Sequence, residues 1–174
     1  TLSRPLKSLF RHGLDFLRNV VLNPTERPDE FAWALKVLSC TWILDTDTSS
    51  FVIKNKPPEA RRRMNSVPLD QQAISIVTYA ELLFGVRRSS NAKVNRTQVD
   101  NFVRHLSILN WDRAAAECYA EVRTQLEAAG TPIGSMDMMI AAHALSLGAA
   151  IVTNNERHFR RVPGLVVENW LAGP

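Results

Sequence analysis

The sequence predicts an α/β fold, a three-layer sandwich with helices on both faces of a central parallel sheet of about five strands. Three observations lead there. From residue 42 onward, short apolar runs alternate with stretches of helical length. Two of the longer helical stretches end at a glycine, Gly130 and Gly148, as helices that stop in a left-handed turn do. Three acids, Asp45, Glu81 and Asp137, each follow a strand-like run or a linker to a helix. Right-handed crossovers bring all strand carboxyl ends to one edge of such a sheet. That edge is where ligands bind in open α/β folds.

The elements follow in order. Residues 1–41 differ from the rest. Leu6, Leu9, Phe10, Leu14, Leu17 and Val21 share one face at helical spacing, so residues 5–22 read as an amphipathic helix. Asn23-Pro24 breaks it, and Pro28-Asp29-Glu30 can open a second helix. Residues 42–45 form the first strand, and 49–54 and 58–65 two short helices. The second strand is 73–76, followed by helices over 79–88 and 94–105. Residues 106–109 are the third strand. Long helices cover 113–129 and 136–147. Strands four and five fall at 150–153 and 165–167. The sequence contains no internal repeat and no low-complexity tract.

A chain of 174 residues is long enough for one domain with a buried core. No apolar run is long enough to cross a bilayer. The start of the chain lacks the continuous apolar region and small-residue cleavage site of a secretory signal, so a cytoplasmic protein is the default expectation. The net charge of +4 permits nucleic-acid binding without requiring it. Its basic groups, Arg61-Arg62-Arg63, Arg87-Arg88 and Arg160-Arg161, read equally well as solvated surface. They acquire meaning only beside an acidic metal site, because a polyanionic substrate needs both. Cys40 and Cys118 lack any C-x-x-C spacing, which excludes a redox pair or zinc knuckle by sequence. His12, His105, His143 and His158 show no metal-ligand spacing and read as surface or packing residues.

Each acid has an innocent explanation. Thr78-x-x-Glu81 has the spacing of a capping box. Ser135 can cap a helix whose first turn then holds Asp137. Asp47 or Thr48 can cap the helix after the first strand, and Asp112 the helix after the third. Taken jointly the acids are harder to dismiss. Asp45 ends a strand and is not needed as a cap while Asp47 and Thr48 are available. Strand four runs into another polar cluster, Thr153-Asn154-Asn155, at the same expected edge. Acids gathered there repel one another unless something positive lies between them. Mg²⁺ or Mn²⁺ held by carboxylates answers that need and suits hydrolysis of a phosphodiester.

The order and spacing of four motifs carry a resemblance. They are Leu44-Asp45-Thr46, Ser75-x-x-Thr78-x-x-Glu81-Leu82-x-x-Gly85, Gly134-x-x-Asp137-x-x-Ile140-Ala141-Ala142 and Val152-Thr153-Asn154-Asn155-x-x-x-Phe159. Together with the ending Val162-Pro163-Gly164-Leu165-x-Val167-Glu168-x-Trp170, they cover roughly residues 42–170. This pattern resembles the PIN-domain ribonucleases, and among them the VapC toxins of bacterial toxin–antitoxin pairs. The resemblance implies a PIN-like fold over residues 42–174. It makes Asp45, Glu81 and Asp137 the catalytic acids that bind one or two Mg²⁺ or Mn²⁺ ions. Asn155 matches a fourth position that is often Asp, and brings no charge. Asp47 stands where many of these toxins have Asn; it either restores charge or caps a helix. Thr46 and Thr153 position the metal ligands, and Ser75 is structural. Arg61, Arg87 and Arg88 are the candidates for holding RNA. Also implied are cleavage of tRNA or ribosomal RNA that arrests translation, a VapB-type antitoxin, and a homodimer that buries apolar positions such as Leu82, Leu83 and Phe84.

Residues 1–41 lie outside the resemblance. A helical arm and a fused antitoxin-like remnant are both open readings, but an upstream extension from a misplaced start, poorly ordered and without function, is preferred. Two rival functions stand beside the nuclease. One is a PIN-like module that binds RNA or a partner without cutting, which Asn155 keeps open. The other is a haloacid-dehalogenase-type phosphotransferase, because Asp45-Thr46-Asp47 superficially matches its D-x-D nucleophile motif. Against the second, no suitably placed lysine and acidic pair follows Thr153. The lack of a glycine-rich phosphate loop disfavours a nucleotide-binding protein.

Overall fold

The structure, a computed structural model, describes residues 42–171. The helices expected over 5–22 and from Pro28, together with His12 and Cys40, lie outside the described residues. The elements are β1 (Trp42–Leu44), α1 (Thr46–Lys54), α2 (Pro58–Asn65), a 3-10 turn (Leu69–Gln71), β2 (Gln72–Ser75), α3 (Ile76–Arg88) and α4 (Ala92–Val103). They continue with β3 (Ser107–Leu109), α5 (Arg113–Ala128), α6 (Ser135–Ser146), β4 (Ala150–Val152), α7 (Glu156–Phe159) and β5 (Val167–Glu168).

All strand pairs are parallel, and the sheet order is β3-β2-β1-β4-β5. The chain steps outward from β1 to β2 and β3, then crosses back through α5 and α6 to place β4 on the other side of β1. Strand order therefore reverses at β1. In an open parallel sheet this reversal leaves a crevice beyond the carboxyl ends of the two strands that flank it. Here those strands are β1 and β4, which run in register from Trp42 opposite Ala150 to Leu44 opposite Val152.

Successive strand residues point to opposite faces. Ile43, Ala73 and Ile151 pack on one face with Val122 and Leu126 of α5 and Met138 and Ala141 of α6. Leu44, Ile74 and Val152 pack on the other with Val52 of α1, Ala60 and Met64 of α2, and Trp170. Both faces are covered, so the strands are apolar at consecutive positions instead of alternating. Each fully buried Ile, Leu or Val contributes about 1.5–3 kcal/mol. The three-layer sandwich expected from the sequence is the one formed.

The helix stops are also as read. Gly130 and Gly148 follow α5 and α6 with positive φ, 66° and 63°, where a Cβ would be strained. Several helix starts differ from expectation. Helix α1 begins at Thr46 and not at 49, and α3 at Ile76 and not at 79. In both places the strand hands directly to the helix with no linker. The last extended residue, Asp45 or Ser75, is itself the N-cap. Helix α7 and the 3-10 turn were not anticipated, being too short to show helical periodicity. The fifth strand forms at Val167–Glu168, slightly later than 165–167.

Candidate active site

The site is built on the turns that leave β1, β2 and β4, and on the start of α6. Asp45 sits just past β1 with extended backbone and is only 4% exposed. Its Oδ1 accepts a hydrogen bond from the Thr48 amide at 2.7 Å, satisfying one of the free N–H groups at the start of α1. Its Oδ2 accepts from the Thr153 hydroxyl at 2.5 Å, just past the end of β4. The expectation that Asp45 would be spared from capping is therefore corrected: it is the cap. Asp47, offered in its place, lies exposed in the first turn of α1 and caps nothing. An exposed Asp47 also removes the D-x-D reading, which needs both acids in one pocket.

Burial pushes the Asp45 carboxyl up, from an ordinary value near 3.8 to about 6. The bonds from Thr153 and Thr48 pull it down, and the charge of Asp47 nearby adds to the rise. Desolvation wins because every donor around this carboxylate is neutral. Among the described residues, no lysine or arginine pairs with Asp45, Glu81 or Asp137.

Glu81 lies in the second turn of α3 and does not close a capping box. The cap of α3 is Ser75, whose Oγ accepts from the Val77 amide at 3.1 Å. Thr78 is buried in the first turn with its hydroxyl lacking a partner. Glu81 Oε2 instead accepts from the Thr46 hydroxyl at 2.5 Å, which ties α3 to the residue after Asp45. Ser75 is structural, as expected. Besides capping α3, it meets Nδ1 of His143 at 2.9 Å across to α6. His143 is buried, and that burial pulls its imidazole down to about 4, against the pull of Asp112 and of the backbone at Asn110.

Asp137 is in the first turn of α6, where the N-cap is Gly134 and not the expected Ser135. Its Oδ2 has two neighbours: Asn155 Nδ2 at 3.1 Å and His158 Nδ1 at 2.8 Å. Asn155 is in turn fixed by its amide, which donates to the Thr153 hydroxyl at 2.9 Å. One continuous path of hydrogen bonds therefore runs from Asp45 through Thr153 and Asn155 to Asp137. The Thr46–Glu81 bond joins the same rim one residue from Asp45. Thr46 and Thr153 stand against the carboxylates they were expected to position.

His158 is the residue that the sequence reading missed, having been grouped with surface and packing histidines. The signal was present: Asn155-x-x-His158 puts two polar side chains one helical turn apart straight after the fourth strand. Asp112 caps α5 as expected, its Oδ1 accepting from the Ala115 amide at 2.9 Å. Arg61 spends its guanidinium on the carbonyls of Val52 and Ile53, at 3.0 and 3.3 Å. Arg87 and Arg88 are exposed on the last turn of α3, Arg88 over the ring of Phe84. Leu82 belongs to a small core with Val86 and Val99, whereas Phe84 is 62% exposed.

The chemistry of the donors fits a hard divalent cation. They are carboxylate and hydroxyl oxygens on one rim, around a buried carboxylate with no cationic partner. Among the described residues, no three His, Cys, Asp or Glu side chains stand close enough together to hold one ion. Each carboxylate meets its own donors: Asp45 the Thr48 amide and the Thr153 hydroxyl, Glu81 the Thr46 hydroxyl, and Asp137 the Asn155 side chain. No helix among the described residues is long and apolar enough to cross a membrane.

Comparison with known proteins agrees with this fold. The PIN domain family matches residues 44–165. The chain is 41% identical over 129 residues to the tRNA(fMet)-specific endonuclease VapC of Salmonella typhimurium, covering 74% of this chain and 97% of that protein. It is 35% identical to Ribonuclease VapC2 of Rickettsia felis, covering 74% and 97%. Among solved structures, DNA-bound VapBC from Salmonella typhimurium superposes with a TM-score of 0.72 at 40% identity, covering 75% of this chain and 98% of that one. VapBC2 from Rickettsia felis, bound to a DNA fragment from its promoter, gives 0.70 at 33% identity, covering 75% and 98%. The chain thus belongs to the PIN-domain family, as a VapC-type endoribonuclease toxin of a toxin–antitoxin system.

Proposed function

We propose that the chain hydrolyses the backbone of a tRNA, and that Asp45, Glu81 and Asp137 are its catalytic, metal-binding acids. The observation that carries this reading is the hydrogen-bonded rim joining the ends of β1 and β4 to Glu81 and Asp137. A tRNA substrate is supported by the relative named for tRNA(fMet), which the match covers almost completely. The cofactor in this reading is Mg²⁺ or Mn²⁺. Held by Asp45, Glu81 and Asp137, a divalent cation would supply positive charge to the scissile phosphate and would acidify a water.

The protein's own residues do the rest. Thr153 and the Thr48 amide hold both oxygens of Asp45, and Thr46 holds one oxygen of Glu81, so these donors set the orientation of two of the three acids. No histidine or lysine base is required. Arg87 and Arg88, exposed at the end of α3, are the better placed of the candidate phosphate contacts, since Arg61 is engaged with backbone. Phosphate contacts of this kind weaken as salt rises.

The partners in this reading are a VapB-type antitoxin, supported by relatives solved as VapBC complexes on DNA, and a second copy of the chain. Phe84 is the exposed apolar position available for the homodimer; Leu82 is core. Residues 42–174 are the catalytic unit, supported by a family match over 44–165.

The purified chain is expected to cut tRNA(fMet) when MgCl₂ or MnCl₂ is added, and Asp137→Asn to lose that cutting. Equal cutting by the variant would remove Asp137 from the site. Absence of cutting by the unaltered chain with either metal would favour the non-cutting module that the uncharged Asn155 permits.

A further inference from the structure

We infer that His158 is a metal ligand, and that Asp137, Asn155 and His158 form one three-atom face of the divalent-cation site. The inference deepens the nuclease reading and rests on it. The three atoms stand 2.8 Å (His158 Nδ1 to Asp137 Oδ2), 2.8 Å (Asn155 Nδ2 to His158 Nδ1) and 3.1 Å (Asn155 Nδ2 to Asp137 Oδ2) apart.

Hydrogen bonds alone do not satisfy this triangle as drawn. Nδ1 would have to donate to the carboxylate and accept from the amide, and one ring nitrogen does only one of these. Turning the Asn155 side-chain amide by half a rotation replaces Nδ2 with Oδ1 at no change in shape; the link to Asp137 then runs through whatever stands between the two oxygens instead of through a direct hydrogen bond. Three lone-pair atoms then converge on one point, and something positive must stand there. A proton on Nδ1, shared between the two oxygens, is one solution; a divalent cation is the other.

The spacing accommodates the cation. Adjacent ligands of a six-coordinate ion with bonds of about 2.1 Å lie about 3 Å apart, close to all three observed separations. The chelate is also prepared. Asn155 and His158 lie one turn apart, the His158 amide donating to the Asn155 carbonyl at 3.0 Å, and Asn155 is anchored to Thr153. The side chains of His158 and Asp137 remain 33% and 29% exposed, so an ion reaches them from solvent.

A nitrogen in the ligand set has a consequence. Mg²⁺ is held by oxygen, whereas imidazole suits transition metals. The site therefore prefers Mn²⁺ to Mg²⁺, and His158 adds a strong neutral donor beside the uncharged Asn155.

The test uses tag-free full-length protein, stripped with chelator and reloaded with MnCl₂. Pulsed electron paramagnetic resonance on the bound Mn²⁺ should show nitrogen-14 modulation from an imidazole, absent in His158→Gln. In calorimetric titration, His158→Gln should weaken Mn²⁺ binding by about tenfold or more and Mg²⁺ binding less; partners that only orient a ligand already cost 10–100-fold. Asn155→Asp should tighten Mg²⁺ binding and keep the nitrogen signal, which leaves the idea testable even if His158→Gln folds poorly. No nitrogen modulation in the unaltered protein, or the same modulation in His158→Gln, overturns the inference. If that protein still cuts tRNA(fMet), the nuclease reading survives and only the role of His158 falls. If the unaltered protein cuts no RNA, the nuclease reading itself fails.

Discussion

Asp45 and Asp137 hold comparable positions, each at the start of a helix that leaves the carboxyl edge of the sheet, in opposite surroundings. Asp45 is sealed at 4% exposure, caps α1 and accepts from two neutral donors. Asp137 caps nothing, keeps 29% of its side chain in solvent and faces an imidazole. A carboxylate in the first situation pays for its charge in stability, because burial disfavours ionisation more than two neutral donors favour it. One in the second is relieved by water. The sealed acid fixes where the hydrogen-bonded rim lies. The open side is where Asn155 and His158 meet Asp137.

The sharpest way to break the comparison is Asp45→Asn. Asn is as good a cap as Asp, so α1 keeps its N-terminal bond to Thr48. RNA cleavage should fall by more than about a hundredfold, beyond the range for residues that merely orient a ligand. The metal-free variant should nonetheless be more stable at pH 7, by on the order of 2–3 kcal/mol, since Asp45 is pushed from 3.8 to about 6. The sign follows from proton uptake. Between those two values the folded protein holds the proton and the unfolded chain has released it, so stability falls as pH rises through the window and stays low above it. Urea unfolding in chelator across pH 3.5 to 8 should show the two proteins converging at the acid end and separating toward neutrality. A constant difference across that range would mean that Asp45 carries no such penalty.

That double use of Asp45 also explains how far the sequence was legible. The sheet was readable because strands buried on both faces are apolar at successive positions, as Ile43-Leu44 and Ile151-Val152 are. Asp45 was readable because it stands where a strand ends, and Asp137 because it stands where a linker ends; Glu81, in the second turn of α3, was legible only through the spacing of its motif. What failed was the assignment of caps. Asp47, Thr78 and Ser135 all have capping chemistry, yet Asp45, Ser75 and Gly134 hold the positions. Sequence spacing assumes a linker between strand and helix, and after β1 and β2 there is none. His158 escaped because α7 has only four residues, too few for a periodic pattern, and its meaning depends on Asp137, brought in from another helix. The periodicity over residues 5–22 falls outside the described residues.

A smaller effect is expected where the sealed and open halves join. Thr153 is that joint: its hydroxyl donates to Asp45 and accepts from the Asn155 amide. Thr153→Val keeps the shape and removes both bonds. Buried groups left without partners cost about 1–3 kcal/mol. Cleavage should fall by about 10–100-fold, short of the loss in Asp45→Asn. Because the Thr153 bond holds the Asp45 carboxyl down, its removal should carry the pH-dependent loss of stability to higher pH. An unfolding profile unchanged in pH would show that the two halves are not coupled through this residue.

The smallest effect should come from Ser75, which joins two helices below the rim without touching an acid. Ser75→Ala deletes the cap of α3 and the contact with His143, and should cost about 0.5–2 kcal/mol. Cleavage should change less than in Thr153→Val, because the Thr46 bond still fixes Glu81. The buried His143 gives this part a pH response of the opposite sign. Its imidazole is pulled from 6.5 to about 4, so the unfolded chain takes up the proton first. Stability contributed above 6.5 is then lost as pH falls toward 4. Across that window Asp45 gains what His143 loses, so the unaltered protein should show a shallow acid limb. In Asp45→Asn the opposing titration is gone and the His143 loss should stand alone as a steeper limb. An equally shallow limb in that variant would show that His143 is not held neutral by its burial beside Ser75.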